Sequence, residues 1–177
     1  YSPQNAALLG ALGIKVAAVV PIGYVPELTR ITPAPQRDID VLFIGSLNPR
    51  RQAILDQMKA AGLRVGVACG VYGPQRDALI ARSRLLLNVH YYESKVLEMV
   101  RISYLLANRC AVLSERSANP QEDATLDGGV AFADYDTLVE RARALINAPA
   151  ECARLGQRGF EIMSARPLSE YLRAALA

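Results

Sequence analysis

Short apolar runs alternate with amphipathic segments along most of this chain, and this alternation is what most constrains its fold. The runs DVLFIG (Asp40 to Gly45), LRVGVACG, LLLNVH, CAVLSE and VAFAD predict strands, and helical periodicity follows each of the first three. Continuously apolar strands are typical of a sheet buried on both faces, and parallel strands need crossover helices. The order therefore predicts an α/β fold, a three-layer α/β/α Rossmann-like sandwich with a mostly parallel sheet.

Proline, glycine and small polar residues indicate where the helices begin and end. Asn48 is a candidate N-cap, Pro49 suits the first helical position, and Gly62 ends the predicted helix. Pro74 begins a second helix in the same way. Ser94 is the expected cap of a third helix in SKVLEMVRISYLLANR, and NPQEDATLDGG is predicted to be a polar loop.

The chain divides into two parts at about residue 38. Residues 1–38 are interpreted as an interdomain segment with an edge element, in which IKVAAVVP forms a strand that stops at Pro21. Residues 39–177 are predicted to form the Rossmann-like domain. The opening YSPQNAALLG is typical of the middle of a longer chain.

Composition narrows the classes of function. The chain has a small net charge of +3, and its basic residues are dispersed in sequence. We therefore expect no nucleic-acid partner. Three cysteines without a CxxC or Cys/His cluster indicate neither a metal site nor a disulfide framework. No apolar run is long enough to span a bilayer. We expect a cytoplasmic location, with peripheral attachment to an inner membrane left open.

The loop after the first strand of the sheet is a candidate anion site. Ligands of such sheets bind beyond the carboxyl ends of the strands. Gly45 permits close backbone approach, the helix that follows offers free N–H groups, and Arg50 and Arg51 add positive charge. A phosphate or diphosphate is the expected ligand. A self-capped helix with solvated arginines is the alternative.

Polar and aromatic residues also follow the later strands. Tyr72 follows the second strand and could stack on a ring. Asn88 and His90 share one face of the third strand, and His90 is a candidate general base, phosphate partner or sugar ligand. Ser114 and Glu115 end the fourth strand, where Glu115 could accept hydrogen bonds from sugar hydroxyls. For His90, a purely structural role is the alternative.

Glu98 and Arg101 stand three residues apart on the third predicted helix and can pair on one face. The helix is otherwise almost wholly apolar, which favours a buried partner for Arg101. The alternative is a surface ion pair of small energetic value.

Several motifs of other α/β proteins are absent from the sequence. There is no GxGxxG after the first strand, no GxxxxGK[ST] and no GxSxG. These absences argue against classical dinucleotide-binding domains, P-loop NTPases and α/β hydrolases.

The segment order resembles the C-terminal, donor-binding domain of GT-B glycosyltransferases, in particular the bacterial group-1-like set that includes the CgeB type. DVLFIGSLNPRR is similar to the FxGsxsxRR first strand and loop of that family. SRLLLNVHYYE and EMVRISYLLANRCAVLSE are similar to its donor-binding strand-helix-strand block. VPIGYVPEL looks like the interdomain segment, and GVAFADYDTLVERARALI like the terminal strand and helix.

The resemblance implies a glycosyltransferase that uses a nucleotide-diphospho-sugar donor, without metal or other cofactor. It implies an N-terminal GT-B domain as partner and an unknown acceptor, which is a glycan, a lipid or a protein. His90 and Glu98 are the candidate catalytic residues. The candidate donor-binding residues are Gly45, Ser46, Arg50, Arg51, Tyr72, Asn88, Tyr91, Arg101, Ser114 and Glu115.

The chain departs from the family pattern RxxEAxAcG at two positions. Arg101 matches, but Tyr104 stands where the family has Glu, and Arg109 replaces the Gly. Glu98, one turn earlier, is a possible substitute. The departures leave open an inactive GT-B-like scaffold domain, and a nucleotide-sugar epimerase is a further alternative.

Overall fold

The computed structural model describes residues 3–176, and its centre is a five-stranded parallel sheet. The strands lie in the order β2-β1-β3-β4-β5, so the chain crosses over the sheet between successive strands. This result confirms the predicted α/β class. The strands are β1 (Ile39–Ile44), β2 (Val65–Ala68), β3 (Ser83–Asn88), β4 (Val112–Glu115) and β5 (Ala131–Ala133).

Eight α-helices occur within residues 3–176 and most of them cover the two faces of the sheet. One face packs against α2 and α6, and the other against α3, α4 and α7. The molecule therefore has the predicted three layers. The helices are α1 (Pro3–Ala11), α2 (Pro49–Ala60), α3 (Gly73–Ala81), α4 (Met99–Ala107), α5 (Pro120–Ala124), α6 (Leu138–Ile146), α7 (Pro149–Ser164) and α8 (Leu168–Leu176).

The apolar character of β1 and β3 follows from burial on both faces of the sheet. Leu42 and Leu86 face α3 and α4, whereas their neighbours Phe43 and Leu87 face α2 and α6, and all four are at most 2% exposed. Burial of each such side chain contributes roughly 1.5–3 kcal/mol. These two strands hold the residues at their carboxyl ends on a rigid base.

The helix boundaries that depend on proline and glycine are confirmed. The Asn48 side chain accepts a hydrogen bond of 2.8 Å from the Arg51 backbone N–H, and Pro49 is the first residue of α2. Gly62 follows α2 with a φ of +84°, a conformation that favours glycine. Helix α3 begins at Gly73, one residue before the Pro74 start that the sequence predicts.

Three predictions from local sequence were wrong. IKVAAVVP forms no strand: residues 14–20 have no regular structure, because no described strand pairs with them. Ser94 does not begin α4, which starts at Met99, since Lys95 has a φ of +46° that a helix cannot contain. The predicted loop after β4 contains the short helix α5, capped by Asn119.

Part of the predicted interdomain segment packs against the sandwich. Tyr24 exchanges backbone hydrogen bonds with the α7–α8 connection, at 2.7 Å to Arg166 and 2.9 Å to Leu168. Asn108, after α4, accepts hydrogen bonds from the backbone N–H groups of Arg30 and Ile31. These contacts fix residues 24–31 on the domain, while the boundary between residues 38 and 39 stays a prediction.

No helix within residues 3–176 is long and apolar enough to cross a membrane.

Candidate functional site

A cavity of about 660 Å³ opens beyond the carboxyl ends of β1, β2 and β3. This is the edge of a parallel sheet at which ligands bind. Seven of the residues singled out from sequence line it, namely Gly45, Ser46, Arg51, Tyr72, Tyr91, Glu98 and Arg101.

Arg51 lies in the floor of this cavity and is 2% exposed. Its guanidinium donates to the carbonyl oxygens of Val89 at 2.8 Å and Ser46 at 2.9 Å. It also donates to a Glu98 carboxylate oxygen at 2.7 Å. Burial lowers the pKa of Arg51, an effect that Glu98 opposes. Arg51 therefore links the loop after β1 to the residues after β3, and it places a positive charge at the floor of the cavity.

Glu98 lies between two guanidiniums. One carboxylate oxygen contacts Arg51 and the other accepts from Arg101. Arg101 also donates to the buried Asn88 side chain at 2.6 Å, and Asn88 in turn donates to Ser114 Oγ at 3.0 Å. The predicted Glu98–Arg101 pair thus forms, and it continues as a chain of hydrogen bonds into the sheet.

Gly45 brings the backbone of the β1–α2 loop close to Arg101. Its φ of +142° favours glycine, and a Cβ atom there would lie 2.9 Å from Arg101 Nη2. The backbone N–H groups of Ser46 and Leu47, next in the loop, donate to no protein acceptor within residues 3–176. These amides and the N-terminus of α2 carry partial positive charge, and Ser46 brings one of them to the cavity.

A second cluster lies beside the cavity and does not line it. Arg50 donates to both carboxylate oxygens of Glu115, which is fully buried, and Glu115 also accepts from the His90 backbone N–H at 3.1 Å. Burial raises the pKa of Glu115, but the hydrogen bonds from Arg50 and His90 outweigh it and the pKa falls below the ordinary value. Arg50 also stacks on Tyr135, 4.0 Å from the ring centroid.

His90 is 1% exposed, and its ring does not reach the cavity. Its Nε2 lies 3.2 Å from the Arg116 carbonyl oxygen, and its Nδ1 is buried without a hydrogen-bond partner. The residues named from sequence therefore fall into two groups. Those outside the cavity lining are Arg50, Asn88, His90, Ser114 and Glu115.

Sequence reasoning missed Arg76 and Tyr92 as lining residues, and it treated Tyr104 only as a departure from a family pattern. The Arg76 guanidinium lies 4.1 Å from the Tyr104 ring centroid. Tyr104 donates to Asp77 at 2.8 Å, and burial followed by this bond raises the pKa of Tyr104. Arg76 lies in the first turn of α3, the helix that follows β2. Its position just beyond a strand end could have identified it as a lining residue.

Within residues 3–176, no group of three or more His, Cys, Asp or Glu side chains is placed to hold a metal ion. The polar groups that face the cavity are guanidiniums, tyrosine hydroxyls, backbone amides and one carboxylate. This donor set suits an anion with hydroxyl-bearing substituents.

Comparison with known protein sequences finds relatives in a virus. No protein-family model matches the chain. An uncharacterized protein of Acanthamoeba polyphaga mimivirus is 36% identical over 108 residues, which are 59% of this chain and 12% of that protein. A second mimivirus protein, also uncharacterized, is 31% identical over 65% of this chain and 40% of its own length. The chain thus spans less than half of these relatives, and the predicted bacterial source stays a prediction.

Several solved structures have the same fold, and the names of some of them identify glycosyltransferases. HepE of Anabaena, solved with UDP and glucose, has a TM-score of 0.72 at 13% identity, over 99% of this chain and 60% of HepE. Sucrose-phosphate synthase of Thermosynechococcus elongatus has a TM-score of 0.62 at 16% identity, over 99% of this chain and 55% of the synthase. The C-terminal domain of LpcC, a group 1 family glycosyl transferase of Francisella tularensis, has a TM-score of 0.56 at 11% identity. The match covers 81% of this chain and 97% of the LpcC domain.

The chain therefore has the Rossmann-like fold of one half of a GT-B glycosyltransferase. The similarity covers nearly the whole chain and only about half of the first two proteins. At these identities it shows the fold. The similar structures do not favour the alternative of an inactive scaffold.

Proposed function

We propose that this chain is the donor-binding domain of a glycosyltransferase that takes a nucleotide-diphospho-sugar and transfers the sugar to an acceptor. The observation that carries the proposal is the cavity at the carboxyl edge, which is lined by Gly45, Arg101 and Ser46 with its unbonded backbone amide. The GT-B fold and the UDP in the similar HepE structure support it.

In this proposal the diphosphate lies over Gly45, against the amides of Ser46 and Leu47. A side chain at position 45 would occupy that space, and the N-terminus of α2 adds its dipole. Arg101 contributes a guanidinium edge from the other wall. Negative charge that develops on the departing nucleoside diphosphate is stabilised by groups already in place, which requires no metal.

The nucleoside and the sugar lie on either side of this point. Tyr72 is 76% exposed at the cavity rim and offers a ring face for a base, with Arg76 and Tyr104 behind it. Glu98 and Tyr91 border the opposite side, where sugar hydroxyls would meet a carboxylate acceptor. Of the two candidate catalytic residues, Glu98 borders the cavity, whereas His90 would act by supporting the strand end beneath it.

Glu98 also competes with the donor. Its carboxylate lies between Arg51 and Arg101, where it neutralises the charge that a phosphate would use. Donor binding in this proposal shifts Glu98 away from Arg101 and toward the sugar. An N-terminal GT-B domain supplies the acceptor site, the acceptor is a glycan, a lipid or a protein, and we expect the reaction to take place in the cytoplasm.

Calorimetric titration of the chain with UDP, GDP, ADP and dTDP tests the proposal. We expect one diphosphate to bind selectively and Arg101→Gln to weaken it at least about tenfold, since a hydrogen bond to a charged group is lost. Tyr72→Ala should weaken the same ligand without affecting the fold. Arg143→Gln, at an exposed position on α6, is the control. Absence of binding to the folded chain, or equal binding in all four proteins, would reject the proposal.

A further inference from the structure

A second cavity, of about 620 Å³, lies at the opposite edge of the sheet. Its lining includes Arg64, which precedes β2, Ser83, which begins β3, and Ala111, which precedes β4. These positions place it at the amino ends of the strands, away from the carboxyl edge that the proposed donor occupies.

Four arginines line this cavity because each one stands at the start of a strand. Arg37 is two residues before β1 and Arg64 is one residue before β2. Arg84 is the second residue of β3, and Arg109 is three residues before β4. The strands are neighbours in the order β2-β1-β3-β4, about 4.8 Å apart. Arginines dispersed in sequence are therefore adjacent in space.

The charge of this group is only partly compensated. Asp40 accepts two hydrogen bonds from the Arg64 side chain and one from Arg84. No Asp or Glu side chain lines the cavity itself. Among the described residues, neither Arg37 nor Arg109 forms an ion pair with a carboxylate. Two guanidiniums thus keep their hydrogen-bond donors available beside two that are shared.

Arg109 is held in place by its surroundings. Its guanidinium stacks on the Phe160 ring, 3.6 Å from the centroid. Stacking uses the face of the guanidinium and leaves its N–H groups in the plane available. The backbone of Arg109 has a φ of +54° and rests against Gly156 of α7. A fixed donor of this kind loses little side-chain entropy when an anion binds.

The other lining residues are partly apolar and indicate the kind of anion that fits. Ile31, Pro33, Pro35 and Ile80 supply apolar surface, beside the polar side chains of Ser83, Asn108 and Gln157. The volume exceeds what an inorganic ion needs and falls within the range for small-molecule sites. A ligand with a compact dianionic group and a carbon skeleton would use both the guanidiniums and this apolar surface.

We propose that the cavity at the amino edge binds a small phosphorylated compound through Arg37 and Arg109. The phosphate takes hydrogen bonds from these two guanidiniums, which stand on either side of β3 and its Arg84, and the carbon skeleton lies on the proline-rich loop before β1. The site is separate from the donor cavity, and it does not depend on the function proposed above.

The test is calorimetric titration with inorganic phosphate and, separately, with glucose 1-phosphate and glucose. The proteins are wild type, Arg37→Gln, Arg109→Gln and Arg101→Gln, with Arg143→Gln as the surface control. We expect both phosphates to bind, glucose not to bind, and each of the first two substitutions to weaken phosphate about tenfold. Arg101→Gln, which alters the donor cavity, should leave phosphate binding unchanged.

Other results would overturn the proposal and remain distinct from a failure of donor binding. Phosphate binding lost in Arg101→Gln and kept in Arg37→Gln would place the anion in the donor cavity. No phosphate binding at millimolar concentration would reject the site whether or not UDP binds. Arg37 lies in a loop and makes no hydrogen bond or ion pair among the described residues, so Arg37→Gln remains informative if Arg109→Gln alters the fold.

Discussion

The two edges of the sheet use arginines in opposite ways. At the carboxyl edge, Arg50, Arg51 and Arg101 share the carboxylates of Glu98 and Glu115 and are largely satisfied within the protein. At the amino-edge cavity, Arg64 and Arg84 share Asp40, whereas Arg37 and Arg109 pair with no carboxylate among the described residues. Guanidiniums whose charge is compensated hold a structure together, and those whose charge is not are available to a ligand.

The difference shows that the number of arginines near a cavity is a poor guide to anion affinity. What matters is which carboxylates accompany them and how deeply the pairs are buried. Both carboxylates are buried, but the Arg50 side chain that pairs with Glu115 is 27% exposed, whereas the Arg64 side chain that pairs with Asp40 is 56% exposed. Breaking an ion pair at the carboxyl edge is therefore expected to lower the free energy of unfolding more than breaking one at the amino edge.

The largest expected effect comes from removing a buried carboxylate. Glu115→Ala leaves Arg50 without its counter-charge and the His90 amide without an acceptor, and should lower the free energy of unfolding by about 3 kcal/mol. Asp40→Ala should cost only about 1 kcal/mol, because water reaches Arg64 and Arg84. Urea denaturation of both variants measures the difference.

Glu140→Ala, at an exposed position in α6, is the control for these two variants and should change the free energy of unfolding by a few tenths of a kcal/mol, about the value of a surface charge. If Asp40→Ala proves as costly as Glu115→Ala, the two edges do not differ in the way described.

The next effect concerns the floor of the donor cavity. Gly45→Ala places a methyl group 2.9 Å from Arg101 Nη2 on a backbone that favours glycine. We expect a loss of about 1–2 kcal/mol in stability from backbone strain and at least tenfold weaker UDP binding, read by chemical denaturation and calorimetry. Gly10→Ala meets no atom within 4 Å and lies in α1, so it should leave UDP binding unchanged. Undiminished UDP binding by Gly45→Ala would show that the diphosphate does not bind against this loop.

A smaller effect should make the carboxyl edge resemble the amino edge. Glu98→Gln removes the carboxylate from between Arg51 and Arg101, so that a diphosphate no longer competes with it. We expect UDP to bind about fivefold more tightly, since one charge–charge contact near water is worth about 1 kcal/mol. Glu140→Gln is the matched control. Weaker binding in Glu98→Gln would mean that Glu98 positions the arginines for the ligand.

The smallest effect is the response to acid. The hydrogen bond from Arg64 outweighs burial and holds the pKa of Asp40 well below its usual value, and the pKa of Glu115 is also lowered. A depressed pKa gives stability that is present above the unfolded-state value and is lost as the pH falls through the folded-state value. Wild-type stability should therefore decline below about pH 4.5. Asp40→Asn should show a shallower decline below about pH 4, and an unchanged slope would contradict this linkage.

The sheet and most helices could be predicted from sequence because each depends on local chemistry. Continuous apolar runs indicated β1 and β3, and Asn48, Pro49 and Gly62 indicated the ends of α2. The start of α4 could not be predicted in this way, because the left-handed conformation of Lys95 has no clear signal in the surrounding residues.

The positions of the site residues could be predicted, but their pairing could not. Arg50 and Arg51 are adjacent in sequence and were assigned to one ligand. On a helix, successive residues point in directions about 100° apart, so Arg50 reaches Glu115 while Arg51 reaches Glu98 and Val89. Such pairings depend on which strand ends meet. The arginines at the amino edge are far apart in sequence, and only the strand order brings them to one cavity.

The contact between Gly156 and Arg109 has a consequence for how this protein can change. A Cβ atom at Gly156 would overlap the carbonyl oxygen of Arg109, and α7 can therefore lie against that turn only while position 156 has no side chain. One added methyl group on α7 would push on the turn that holds Arg109. A mutation of this buried glycine would thus displace an arginine of the amino-edge cavity and weaken anion binding there, although the mutation alters no charged residue.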